Sequence, residues 1–111
     1  MVIALLELVP ETEKRQAMLE ILSFVEEHVS AKPECLGCGV FEATGGTHRV
    51  LYVEQWNSAE DLHAHLRSRL YLKVLNAVEL ASEEPMFSFH EVSHTESMEL
   101  IRQLRSSECH R

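Results

Sequence analysis

The stretch "LYVEQWNSAEDLHAHL", residues 51–66, changes periodicity part-way along. Up to Trp56 it alternates with period two. Tyr52, Glu54 and Trp56 share one face and Leu51 and Val53 the other, the pattern of a strand. From Ser58 the period becomes helical. Ser58 and Asp61 form a short-armed variant of the capping box, and Leu62 and Leu66 lie on one stripe. The stretch therefore predicts a strand leading into a helix. Glu54 breaks the pattern, because a carboxylate in an apolar stripe has its charge disfavoured by burial unless it finds a partner.

Working back towards the N-terminus, "HRVLYVEQW" (48–56) pairs with a strand over 36–43 through the turn "TGG" (44–46), giving a hairpin. Before it, Met18, Ile21, Leu22, Val25 and Val29 recur at three and four, which predicts an amphipathic helix over 11–30 stopped by Pro33. "VIALLELV" (2–9) is a short apolar run ending at Pro10, a strand buried on both faces. Towards the C-terminus, Ser68 recaps a second helical segment through Leu80. Its inward set is Leu72, Leu75 and Val78, or Tyr71, Leu75 and Val78. "MFSFHEV" (86–92) is a fourth strand with Phe87 and Phe89 on one face. Thr95 is placed to cap a last helix bearing Met98, Ile101 and Leu104, which ends in a frayed "SSECHR" tail.

The order strand, helix, strand, strand, helix, strand is the ferredoxin-like α+β arrangement βαββαβ, here with an extra C-terminal helix. We expect the domain over 1–94 and the helix and tail over 95–111. Two helices cover one face of a four-stranded sheet, yet strands one and three are apolar on both. An identical sheet is the economical cover. The expectation is an isologous homodimer packed sheet to sheet, with the C-terminal helix partly at the seam.

A chain of 111 residues has room for a single domain. Its net charge of −8, with ten scattered basic residues, excludes the clustered positive field that nucleic acid or an anionic membrane requires. The expected ligand is neutral or small. "VIALLELVP" is too short to span a bilayer or serve as a signal segment, which reads as a cytoplasmic protein. Three cysteines argue against a disulfide framework.

Cys35-Leu36-Gly37-Cys38 invites a redox or zinc reading. In extended chain, residues three apart are separated by about 10 Å and point to opposite faces, whereas a disulfide needs Cα atoms within roughly 4.4 to 6.8 Å. No second pair stands at zinc spacing, and Cys109-His110 lies in the tail. The cysteines read as packing residues, while Gly37 and Gly39 leave space above a sheet face. The histidines form no metal set. His63 and His65 lie about 200° apart around a helix, and His90 and His94 about 13 Å apart along a strand. His28, His48, His94 and His110 occupy loops or element ends.

His65, three after Leu62, flanks the buried stripe and is the candidate general base or hydrogen-bond donor. Tyr71 is placed to supply a phenolic hydroxyl to the same space and Trp56 an aromatic wall. Tyr52, Glu54 and Phe87 complete the candidate substrate contacts. Nucleotide, acyl-serine and zincin motifs are absent.

"PECLGCGVFEA", "LYVEQWNSAEDLHAHLRSRLYLKVLNAV" and "EEPMFSFHEV" together resemble the antibiotic biosynthesis monooxygenase domain of the dimeric α/β-barrel group, over residues 2 to 93. The most specific piece is E-x-W-x-S-x-E-x-L-x-x-H-L-x-S (54–68). The resemblance implies a sheet-mediated dimer, a pocket between sheet and helices, and oxygenation of a small electron-rich aromatic, a quinol or polyphenol, without metal, flavin or other cofactor. Trp56 and His65 fall at the matching positions, with Tyr71 close by. The haem-degrading branch uses an Asn on strand one, a helix Trp and an axial His. Here strand one has no Asn, His65 stands at the Trp position and Leu75 near the axial one, so haem degradation is not expected. Two functions follow: a cofactor-independent monooxygenase, or a non-catalytic, ligand-binding or stress-associated dimer. A pocket too small for one ring, or closed by Phe87, Phe89 and Met18, favours the second. A metal protein using Cys35 and Cys38 is the weakest reading.

Overall fold

Alternation builds the sheet. In β1 (Val2–Leu8) and β3 (Val50–Trp56) every second residue is buried: Val2, Ala4, Leu6 and Leu8 on one, Val50, Tyr52, Glu54 and Trp56 on the other. The strands pair antiparallel with Ala4 opposite Glu54 and Leu6 opposite Tyr52, so both buried sets share one face. β2 (Cys35–Glu42) and β4 (Met86–Glu91) flank them in the order β2-β3-β1-β4, with every pairing antiparallel. This is the expected ferredoxin-like α+β topology. The structure is a computed structural model describing residues 1–109, with side chains described through Ser106. His110 lies outside the described residues.

Helical spacing lays one layer on that face. α1 (Arg15–Ser30), entered through a 3-10 turn at Thr12–Lys14, buries Met18, Leu22, Val25 and Val29. α2 (Ala59–Leu66) begins where expected, the Ser58 hydroxyl accepting the Asp61 backbone N–H at 3.2 Å. α1 packs on β2 and on α3 (Tyr71–Val78), and α2 packs on β3. The Glu26 carboxylate accepts the Val40 N–H at 3.0 Å and Arg15 pairs with Glu42 at 2.6 Å, tying α1 to the β2 edge. The hairpin turn has Gly45, Gly46 and His48 at positive φ, so the glycines perform the role read for them.

Four expectations need correction. The inward set of α3 is Tyr71, Val74 and Ala77, whereas Leu72 and Leu75 are 57% and 43% exposed. The break between α2 and α3 resets the helical phase, which sequence spacing within one segment does not reveal. Cys35 and Cys38 do not point to opposite faces. A bulge between Cys35 and Gly37 places Cys35 opposite Trp56 and Cys38 opposite Glu54, both on the helix-covered face, and leaves Leu36 exposed. The space above Gly39 is not empty, because the Phe41 ring lies across it and a Cβ there would approach that ring to 2.6 Å. Finally, α4 (Met98–Cys109) starts three residues after Thr95 and continues as helix where a frayed tail was expected.

Among the described residues the opposite sheet face has no second layer. Ile3, Leu5, Leu51 and Val53 are only partly buried there, and Phe41 and Met86 are exposed. Among the described residues no helix is long and apolar enough to cross a membrane.

Ser58→Ala removes the α2 cap, and we expect a loss of about 1 kcal/mol in urea unfolding. An unchanged midpoint would mean that the cap contributes nothing to stability.

Candidate functional site

Strand alternation puts Tyr52, Glu54 and Trp56 side by side, and the Ser58 cap sets the phase of α2 so that His65 turns towards them. Glu54 is 1% exposed and its carboxylate collects three donors. One oxygen, Oε2, accepts the Tyr52 hydroxyl at 2.6 Å and bonds His65 Nε2 at 2.8 Å. Oε1 accepts the Trp56 indole N–H at 2.9 Å. The Cys38 thiol donates in turn to the Tyr52 hydroxyl at 3.5 Å, extending the chain.

Burial pushes the Glu54 carboxyl up, but the hydrogen bond and charge of His65, followed by the Tyr52 and Trp56 donors, outweigh it and hold Glu54 below the ordinary carboxylate range. Glu54 is therefore an anion at neutral pH. An anion only accepts, so Nε2 of His65 carries a proton and Nδ1 is the atom left for other chemistry. Nδ1 is buried and, among the described residues, has no hydrogen-bond partner. The imidazole is held between the Trp56 ring, 4.8 Å away and tilted, and the Tyr71 ring, edge-on at 5.3 Å. Sequence position suggested a flanking, half-buried His65, yet it is 2% exposed because Glu54 draws it inward.

The neighbouring acids are silent near neutrality. Burial, then the Glu54 charge, pushes the Tyr71 phenol up to about 12 and the Tyr52 phenol further still. Burial likewise raises the Cys38 thiol to about 12, and Cys35 is raised in the same direction. These groups can donate hydrogen bonds, but they cannot serve as thiolate or phenolate. Both cysteines are free. Among the described residues no cluster of three or more His, Cys, Asp or Glu side chains has the arrangement of a metal site.

Two spaces adjoin the cluster. A hollow of about 250 Å³ beside Trp56 and His65 is lined also by Lys32, Glu34, Asp61 and Ala64. On the other side, Tyr52, Glu54, Tyr71, Phe87 and Phe89 enclose only about 10 Å³. An engineered cavity of about 150 Å³ holds benzene, so the first space admits a ring and the second does not. Met18 lines neither, being buried in the core. The structure thus joins His65 to Trp56, Glu54 and Tyr52, and puts Tyr71 and Phe87 at the closed side. Sequence reasoning flagged Glu54 as a ligand contact and missed its position as the hub. The signal was the lone acid in an apolar stripe.

A family model for antibiotic biosynthesis monooxygenase matches residues 1–77, which carry every member of this cluster. The chain belongs to that family. The antibiotic biosynthesis monooxygenase fold recurs in solved structures. One is a Deinococcus radiodurans protein at 18% identity, TM-score 0.78, covering 87% of this chain and 97% of that one. A Mycobacterium tuberculosis protein matches at 18% identity, TM-score 0.77, covering 86% and 98%. A Nitrosomonas europaea protein matches at 17% identity, TM-score 0.75, covering 85% and 100%. At these identities the likeness concerns the fold. No curated protein matches the sequence.

Because the folded carboxyl of Glu54 is depressed, its contribution to stability is complete above the unfolded value near 4.3 and disappears as pH falls through the folded one. Urea unfolding between pH 3 and 6 should show this loss. Glu54→Gln should cost about 3 kcal/mol at pH 7 and flatten the pH dependence. A Glu54→Gln variant as stable as the parent would remove Glu54 from the centre of the cluster.

Proposed function

We propose that the chain is a cofactor-independent monooxygenase acting on a small quinol or polyphenol, with His65 as base in the hollow walled by Trp56. One observation carries the reading: a buried carboxylate holds the imidazole through Nε2 and leaves Nδ1 without a partner. A carboxylate–imidazole pair of this kind orients the ring and stabilises the imidazolium formed when the other nitrogen accepts a proton. The hollow has room for one ring, and Lys32, Glu34 and Asp61 at its lining offer polar contacts to hydroxyls.

In this reading a side-chain adjustment admits the substrate hydroxyl to Nδ1, which takes its proton. The electron-rich anion then passes one electron to dioxygen, and the radical pair combines at a ring carbon to form a C–O bond. Loss of that carbon's hydrogen as a proton, with cleavage of the O–O bond, leaves a carbonyl and hydroxide. Hydroxide recovers the proton from His65 as water. A quinol so treated becomes a hydroxyquinone: the substrate surrenders four electrons, one oxygen atom enters the product and the other leaves as water. Holding substrate and dioxygen together beside the imidazole, against the Trp56 ring, is what the protein contributes. Tyr71, offered by its sequence position as a second polar group, lies on the closed side and acts by holding the imidazole edge-on rather than by touching the substrate. The working unit is a homodimer, a reading supported by the apolar sheet face that the described residues leave uncovered.

Oxygen uptake with a panel of quinols tests the proposal. We expect turnover by the parent and a loss of 10²-fold or more in kcat for His65→Ala. Full turnover by that variant would discard His65 as base. No uptake with any quinol, together with binding of an aromatic, would make the chain a ligand-binding module.

A further inference from the structure

The C-terminal helix stands off the rest of the molecule. The radius of gyration is 17.0 Å, against about 13 Å for a compact chain of this length. The accessible surface is 7705 Å², whereas a compact monomer of 12.7 kDa exposes about 6,200 Å². The surplus is about 1,500 Å² per chain, which exceeds the roughly 800 Å² that each partner buries in a standard interface. Much of what is left uncovered is apolar. On α4, Met98, Ile101 and Leu104 are 56%, 49% and 60% exposed, at a spacing that places them along one side of the helix.

A matching uncovered surface lies on β4. Phe87 and Phe89 face the helical layer, opposite Leu6 and Ala4, yet are 39% and 48% exposed, since α1 packs on β2 and α2 on β3. They also form the wall of the small space that reaches Glu54 and Tyr71. The other exposed aromatic on the helical side, Phe24, already has company. His28 stacks on its ring at 4.2 Å and the Lys73 ammonium lies 5.0 Å over it.

We infer that in a dimer of this chain α4 of each copy packs through Met98, Ile101 and Leu104 onto Phe87 and Phe89 of the other, roofing β4 and sealing the cluster around Glu54. This rests on the two-copy reading above. α4 leaves from the end of the strand it would cover, so one two-fold axis beside β4 satisfies both copies at once. The connection over residues 92–97 reaches at most about 20 Å, enough to pass round a sheet edge. A helix across β4 would also cover an edge strand that otherwise offers its backbone to any other chain.

The test uses Ile101→Asp/Leu104→Asp, whose side chains are exposed in the single chain and whose replacement leaves its core intact. By sedimentation velocity we expect a parent dimer, and a dimer at least tenfold weaker in the double variant. A second measurement mixes two differently tagged chains, one with Phe89→Cys and one with Leu104→Cys, each lacking Cys35, Cys38 and Cys109 through substitution by Ser. Oxidation should yield a disulfide between the two tags. A parent dimer unaffected by the aspartates, or the absence of any cross-link between tags, overturns the helix exchange while leaving the sheet-mediated dimer in place. A monomeric parent overturns both. Neither result touches the oxygen-uptake assay that tests the chemistry.

Discussion

A carboxylate taken out of water and answered by three donors organises this molecule. Burying an isolated carboxylate costs several kcal/mol even after relaxation. Glu54 offsets that cost with the Tyr52 hydroxyl, the Trp56 indole and the His65 ring, each a hydrogen bond to a charged acceptor worth about 1.5–3 kcal/mol. The same bonds set the chemistry. They hold Glu54 ionised, assign a proton to Nε2 of His65, and leave Nδ1 as the nitrogen free for further chemistry. Function and stability therefore draw on one set of contacts.

The sheet's asymmetry governs everything around that cluster. α1 packs on β2 and α2 on β3, which walls the hollow on the Trp56 side, while β4 presents two half-exposed phenylalanines. The two spaces differ in volume by more than an order of magnitude. A ring therefore fits beside His65 and Trp56 and not beside Tyr71 and Phe87, although all four were grouped together on sequence grounds. The bulge in β2 acts in the same region. By bringing Cys38 to the inner face it attaches a thiol to the Tyr52 hydroxyl, and burial keeps that thiol protonated.

Period-two and helical spacing were sufficient for β1, α1, β3, α2 and β4, and for the order that makes the fold ferredoxin-like, because burial of one face or stripe imposes those repeats directly on the residues. The Ser58 cap was legible for the same local reason. Glu54 announced itself as an acid among apolar neighbours. What local pattern could not supply was phase and contact between segments. The turn between α2 and α3 moves Leu72 and Leu75 outward and Val74 inward, and a single bulged residue reverses the face of Cys35 relative to Cys38. The partners of Glu54 are joined by packing a helix on a strand, and the size of each adjoining space depends on where the helical layer ends. Those outcomes depend on distances between elements remote in the chain, which residue spacing within an element does not encode.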